Sequence, residues 1–116
     1  MSKHTPGPWS FGYSGATGYC IYGGGQHIAT SILYKKDGGE ANARLMAAAP
    51  HLLEACQTFM EWLRREEVGF VKAGGTRDTP EGEVVWRAWY QENMRLCDLA
   101  QSQAINAVAK ATGETP

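Results

Sequence analysis

The side chains that could hold a ligand are concentrated in the first 44 residues of the chain. They are aromatic rings interleaved with cations and one amide, a combination that can stack on a planar group and neutralise a phosphate. Core packing and strand propensity are the alternative explanation for each aromatic residue. The candidate ligand-binding residues are His4, Trp9, Tyr34, Lys35, Asn42 and Arg44.

Asn42 and Arg44 are the most specific of these candidates. Their amide and forked guanidinium groups offer directional hydrogen bonds to polar or anionic ligands. Both fall in the first turn of a predicted helix, where unpaired backbone N–H groups also favour anions. A helix-capping asparagine and a solvent-exposed arginine are the alternative interpretation.

Residue spacings typical of catalysis are missing from this sequence. The three histidines, at positions 4, 27 and 51, accompany no serine or cysteine in a nucleophile motif. Gly23-Gly24-Gly25 lacks the Lys-Ser/Thr pair of a phosphate-binding loop and is typical of a hairpin turn. Cys20, Cys56 and Cys97 do not have metal-ligand spacing. We therefore predict a protein that is not an enzyme and uses no metal or cofactor.

Composition limits the class of protein further. The 116 residues correspond to one domain, and a net charge of −1 leaves no basic face for duplex nucleic acid. Neither an export signal nor an apolar run of membrane-spanning length is visible. The odd number of widely spaced cysteines indicates reduced thiols. We expect a cytoplasmic protein with no membrane association.

The first third of the chain has the pattern of a small sheet. Trp9, Phe11 and Tyr13 alternate with small or polar residues, as in a half-buried strand. Residues 19–22 and 26–33 predict two further strands, separated by glycine-rich turns. Residues 1–39 are therefore predicted to form a three-stranded antiparallel meander, which needs a cover on one face.

A helix from residue 40 to 68 is predicted to supply that cover. Its apolar residues are spaced three or four apart, and Pro50 within them predicts a kink or break near 47–50, or two helices with Pro50 first in the second. The predicted stripe consists of Leu45, Ala49, Leu52, Cys56, Phe59 and Leu63.

A loop over residues 69–80 and a long helix over 81–112 complete the predicted single domain of 1–116. Thr79 is the expected cap of this helix, Pro80 its first turn and Gly113 its end. The fold class is thus α+β, a β-meander followed by a helical hairpin. The predicted apolar stripe of the last helix consists of Trp86, Tyr90, Asn93, Cys97, Ala100 and Ala104, with Trp89, Leu96 and Ile105 beside it.

Two segments carry a resemblance to a known group of proteins. His-Thr-Pro-Gly-Pro-Trp at 4–9 and Ala-Asn-Ala-Arg-Leu-Met-Ala-Ala-Ala-Pro-His-Leu-Leu-Glu-Ala at 41–55 resemble the recurring motifs of small phage and prophage accessory proteins. The likeness covers residues 4–56. It implies a place in the cytoplasm of an infected bacterial host, in a genomic region where inhibitors of host defence are common.

The architecture is also similar to that of Thoeris anti-defence proteins, which include an oligomeric sponge for cyclic nucleotide signals. That similarity is one of fold alone. This similarity and the candidate ligand-binding residues, which are aromatic rings and Arg44, lead to one hypothesis. The protein would be a counter-defence protein that sequesters a small nucleotide ligand as a homo-oligomer.

A protein–protein inhibitor or adaptor of a host complex, anti-CRISPR-like in action, is the alternative. Such a protein would use the wide apolar arc of the last helix or the loop at 64–82, and the predicted interface residues are Trp86, Trp89 and Tyr90. A structural oligomeric protein whose motifs serve only folding is a third possibility.

Overall fold

The computed structural model describes residues 4–15, 18–32, 38–71 and 74–114. Three strands, β1 (Trp9–Ser14), β2 (Gly18–Gly23) and β3 (Gln26–Ile32), precede three helices, α1 (Gly39–Ala47), α2 (Ala49–Val68) and α3 (Pro80–Thr112). The strands form one antiparallel sheet in the order β1-β2-β3. The predicted α+β class, with a meander followed by helices, is confirmed. Residues 33–37, which include the end of the predicted third strand, lie outside the described residues.

Two compact units divide the chain. The sheet unit comprises residues 1–54 and 103–116, and the helix unit comprises residues 55–102. Helices α2 and α3 each contribute to both units. The single-domain assignment stays a prediction.

The central strand β2 supplies the core of the sheet unit. Tyr19 and Ile21 of β2 are buried and pack against Ala43 and Ala47 of α1. Phe11 faces Ile21 across the β1–β2 ladder, in line with the period-two pattern of β1. Alanines on the helix allow its backbone to approach the sheet closely, so that one short helix covers the face of a three-stranded sheet.

The turn between β2 and β3 is formed by Gly24 and Gly25. Their φ angles of +58° and +75° belong to the left-handed region that glycine adopts without strain. A two-residue turn of this kind matches the twist of antiparallel strands. The glycine run is therefore the predicted hairpin turn.

The two sequence motifs contact each other in the sheet unit. A Cβ atom on Gly7, in the first motif, would lie 2.7 Å from Cβ of Pro50, in the second. The Trp9 indole N–H donates to the Thr5 carbonyl oxygen at 3.0 Å, which closes the first motif on itself. The absence of a side chain at position 7 thus lets the Pro-Gly-Pro turn sit against the proline of the helix.

A helix break occurs at Ala48, between α1 and α2, and Pro50 is the second residue of α2. Proline has no N–H to donate to the carbonyl four residues earlier, and its ring crowds that turn. The predicted break near Pro50 is confirmed, one residue from the position at which Pro50 would begin the second helix.

The ends of α3 also follow their sequence signals. The Thr79 hydroxyl accepts a hydrogen bond from the Gly82 N–H at 3.0 Å, as a capping side chain does. At the other end, Gly113 has φ +77° and its N–H donates to the Ala109 carbonyl. This is the left-handed glycine that commonly ends a helix.

The predicted apolar stripes are only partly correct. On α1 and α2 the structure buries Ala43, Ala47 and Ala55 and half-buries the predicted Leu52 and Leu63, whereas the predicted Leu45, Ala49, Cys56 and Phe59 are exposed. On α3 the predicted Asn93, Leu96 and Ala100 are buried, whereas the predicted Tyr90, Ala104 and Ile105 are exposed. Small residues that allow close approach form much of the core, and several larger apolar residues that were predicted to lie there are exposed.

Candidate functional site

An open cavity of about 500 Å³ lies in the helix unit, where α2 ends and α3 begins. Such a volume is within the range of small-ligand pockets. Its walls are mainly apolar and aromatic, with one cation and one carboxylate. The lining residues are Glu67, Val68, Gly69, Phe70, Val71, Arg77, Trp86 and Trp89.

Phe70 anchors one wall of this cavity. Gly69, with φ +74°, ends α2, and the Gly75 N–H then donates to the Phe70 carbonyl at 3.0 Å. The phenyl ring is buried and lies 5.8 Å from the Trp89 ring at 57°. The glycines therefore turn the chain around Phe70 and hold its ring against α3.

Arg77 forms the cationic wall together with two aromatic rings. Its guanidinium carbon lies 3.6 Å above the centroid of Trp86. The Trp86 ring is also stacked with Tyr90, at 5.2 Å with an interplanar angle of 19°. A cation over an indole face is the most favourable cation–π geometry among the aromatic side chains.

Glu83 fixes the orientation of that guanidinium. Arg77 donates two hydrogen bonds to the carboxylate, at 2.9 and 3.0 Å, and Arg87 lies 3.8 Å from one of its oxygens. The hydrogen bond from Arg77 is the main cause that lowers the pKa of Glu83 below its ordinary value of 4.5, and the charge of Arg87 adds to it. Because all three groups are solvent-exposed, the pair positions Arg77 more than it stabilises the fold.

The titration of Glu83 provides a direct check of this pair. A carboxyl group with a lowered pKa is ionised, and keeps its ion pair, at any pH above its ordinary pKa. It becomes protonated and loses the pair as the pH falls through the lowered pKa. We expect the Glu83 carboxyl carbon to titrate below 4.5 by NMR, with a coincident change at the Trp86 indole. In Arg77→Gln the midpoint should move up toward the ordinary value. An unshifted midpoint in the parent protein would contradict the pairing.

A buried polar network lies beside the cavity. Asn93 is 1% exposed, and its amide oxygen accepts a hydrogen bond from Arg65 Nε at 2.5 Å. The Asn93 amide nitrogen donates to Glu66 Oε1 at 3.0 Å, and Arg65 also lies over the Trp89 ring at 5.8 Å. This network joins α2 to α3 and holds Trp89 in place.

The ligand-binding residues predicted from the sequence lie in the sheet unit and not at this cavity. His4 is exposed and contacts the Trp9 ring edge-on at 6.3 Å. Asn42 is exposed on α1. Tyr34 and Lys35 lie outside the described residues. The structure thus brings His4 and Trp9 together, and the binding role of the set stays a prediction.

Arg44 lies in the last turn of α1 and not in its first turn as predicted, and it already has partners within the sheet unit. Its guanidinium donates to Glu40 at 3.1 Å and lies 5.2 Å from the centroid of the Phe11 ring. Gly113 sits against the same guanidinium, where a Cβ atom would lie 2.9 Å from one nitrogen. Lys110, which was not among the candidates, donates to the Trp9 carbonyl at 2.9 Å, and its burial lowers the pKa of its ammonium group.

The predicted interface residues take different positions in the helix unit. Trp86 and Trp89 are half-buried in the cavity wall, and Tyr90 is exposed. Phe70 and Arg77 were not predicted individually, although both lie in the 64–82 loop that was the alternative interface. Glycines at positions 69, 74 and 75 around one aromatic residue were the available signal for Phe70, and nothing in the spacing indicated that Arg77 would reach Trp86.

Within residues 4–15, 18–32, 38–71 and 74–114, no helix has the length and apolar character needed to cross a membrane. The same part of the chain contains no cluster of three metal-ligating side chains.

The described residues thus combine an α+β fold, with a short sheet and a proline-broken helix, and an aromatic cavity in the helix unit. The model of one protein family, described as Salmonella phage P22 protein Y8K6, matches residues 1–115. The chain belongs to this family, which supports a phage accessory protein. Searches of curated proteins and of solved structures found no match.

Proposed function

We propose that this phage protein is a non-enzymatic counter-defence protein that captures a nucleotide-derived signal, of the cyclic nucleotide or cyclic ADP-ribose type, in the aromatic cavity of the helix unit. The observation that carries the proposal is the Arg77 guanidinium 3.6 Å above Trp86 in the wall of that cavity. Planar bases stack on indole and phenyl faces, and guanidinium groups pair with phosphates.

The charge arrangement at the cavity suits exchange of one anion for another. Glu83 neutralises Arg77 in the free protein, and Arg87 lies 3.8 Å from the same carboxylate. A ligand phosphate can therefore displace Glu83 from Arg77 while Glu83 keeps a cationic neighbour. Competition with Glu83 reduces the affinity for the phosphate, so removal of this carboxylate should strengthen binding.

The chemistry of the lining favours capture over turnover. Among the described residues, the lining includes one carboxylate, Glu67, and no histidine, cysteine or serine. General acid–base catalysis typically uses two groups with different proton affinities, and nucleophilic catalysis uses an activated side chain. A protein that holds a signal needs only burial and charge pairing.

Titration calorimetry with a panel of cyclic di- and trinucleotides and cyclic ADP-ribose isomers tests the proposal. We expect at least one ligand to bind, Arg77→Gln to weaken it about 10-fold or more, and Glu83→Gln to tighten it, because a charge-assisted hydrogen bond contributes about 1.5–3 kcal/mol.

Arg44→Gln is the matched control, since Arg44 is also an arginine paired with a glutamate and set near an aromatic ring. It should leave the affinity unchanged. Loss of binding in Arg44→Gln alone would move the site to the residues predicted from the sequence, namely Asn42, Arg44, Trp9, His4, Tyr34 and Lys35. No binding of any ligand at micromolar protein would overturn the proposal.

A second candidate function is inhibition of a host protein complex. Val68 and Val71 line the cavity and are both exposed, so the rim could receive an apolar anchor from a protein partner. In that case a pull-down from host lysate should recover a stoichiometric partner that Val71→Asp loses, whereas Val71→Asp should leave calorimetric nucleotide binding unaffected.

A further inference from the structure

An apolar face is left uncovered on the helix unit. Phe59 and Met60 of α2 are 47% and 58% exposed, and Tyr90 and Met94 of α3 are 47% and 43% exposed. Cys56 of α2, also exposed, extends the same surface. We refer to this surface as the outer face.

On both helices, residues of the outer face directly follow residues that face the core. On α2, Cys56 and Phe59 directly follow Ala55 and Thr58, which are turned inward. On α3, Tyr90 and Met94 directly follow Trp89 and Asn93, which are also turned inward. One residue corresponds to a rotation of about 100° around a helix.

The two helices run antiparallel within the helix unit. Phe70 contacts Trp89, whereas Arg65, five positions earlier, contacts Asn93, four positions later. For antiparallel helices, the same rotation away from the shared core brings both exposed stripes to the same side. The outer face is therefore one continuous surface across both helices.

The area of this surface is sufficient for a specific interface. Each of its four large side chains exposes on the order of 100 Å². With the smaller side chains between them, two copies would remove about 1,000 Å² from water, the lower bound for specific protein interfaces.

A second copy of this chain is the occupant that fits the outer face. We propose that two copies associate through their outer faces about a two-fold axis and form a four-helix bundle. In a pair of helices, each helix buries only the stripe that faces the other. In a four-helix bundle, a second pair of helices covers the apolar stripe that remains exposed.

Two features support self-association. A two-fold interface places the same surface on both copies, which requires a face without a net charge. The residues of the outer face are uncharged, and Arg64 at its edge is paired with Glu61 of its own chain at 2.7 Å. The helix unit also has a small core of its own. Its buried residues in the described part of the chain are Ala55, Phe70, Asn93, Leu96 and Ala100.

Sedimentation equilibrium of the full chain tests the proposal. The parent protein should be a dimer at micromolar concentration. Met60→Glu should raise the dimer dissociation constant at least about 100-fold, because it would bury an unpaired carboxylate in the interface. Val84→Glu is the control: Val84 is 67% exposed on another side of α3, and the variant should stay dimeric.

The native thiols provide a second readout. Cys56 should react slowly with a thiol reagent in the parent protein and in Val84→Glu, and rapidly in Met60→Glu. Met94→Glu replaces Met60→Glu if the latter does not fold by circular dichroism. A monomeric parent protein with a rapidly reacting Cys56 would overturn the proposal, as would a dimer that both glutamate variants leave intact.

Discussion

Replacement of Asn93 by alanine is expected to lower the free energy of unfolding by about 3 kcal/mol. Asn93 is the buried centre of the hydrogen bonds to Arg65 and Glu66 that join α2 to α3. Its removal leaves the Nε of the half-buried Arg65 without its acceptor and opens a space at a fully buried position. Chemical denaturation followed by the fluorescence of Trp62, Trp86 and Trp89 in the helix unit measures the effect.

The matched control for Asn93→Ala replaces both hydrogen-bonded side chains, Asn93 and Arg65, by apolar side chains of similar volume. The double variant Arg65→Met, Asn93→Leu should recover most of the lost stability, because an apolar pair of similar size replaces both ends of the hydrogen bond. Gln101→Ala, an exposed residue on the same helix, should change stability by less than about 0.5 kcal/mol. A loss below about 1 kcal/mol in Asn93→Ala would show that the network contributes little.

The second large effect is expected in the sheet unit, where Gly23→Ala should cost about 2–3 kcal/mol. A Cβ atom at this position would lie 2.5 Å from Trp9 Cδ1 and 2.6 Å from Ile28 Cδ1. Both are side-chain atoms packed against the core between the sheet and α1, so neither can move away without loss of packing. Thermal melting followed by far-ultraviolet circular dichroism measures this loss.

Gly15→Ala is the control for Gly23→Ala. Gly15 lies in the turn after β1, and no atom comes within 4 Å of a Cβ atom placed there. The variant should melt within about 2 °C of the parent protein, since an unstrained surface substitution changes stability by a few tenths of a kcal/mol. Equal melting temperatures for Gly23→Ala and Gly15→Ala would contradict the packing described around Trp9.

The contact between Gly7 and Pro50 gives the two sequence segments, 4–9 and 41–55, a shared structural role. Each motif alone contains residues that restrict the backbone, namely the prolines of 6–8 and Pro50 in the helix. In the folded sheet unit the turn of the first motif rests on the proline of the second. Their joint occurrence in the sequence is explained by this contact, without a requirement for a ligand.

Local signals in the sequence were sufficient to predict the elements of the fold. Alternation in β1, the glycine turn at 24–25, the break beside Pro50 and the cap at Thr79 each depend on the conformational preference of one or a few adjacent residues. Such preferences act over a few residues, so their effect can be predicted without knowledge of the rest of the chain.

The orientation of the long helices required the tertiary structure. Helices α2 and α3 are apolar over a wide arc, and periodicity alone cannot select the part of that arc that packs inward. Packing buries Ala47 and Ala55, which the predicted stripes left out, because close approach determines which face of a helix is buried. Asn93 and Ala100 were predicted correctly, whereas Phe59 and Tyr90 were assigned to the stripes and are exposed.

The candidate site divides in the same way. The sequence by itself determined the α+β order of elements and the ends of most of them, because these depend on local conformational preferences. Only the tertiary structure brought Arg77 onto Trp86 and Phe70 against Trp89, residues 9 and 19 positions apart. Contacts of this kind depend on how the loop after α2 returns to α3, and that path results from packing around Phe70 and from the pairing of Arg77 with Glu83.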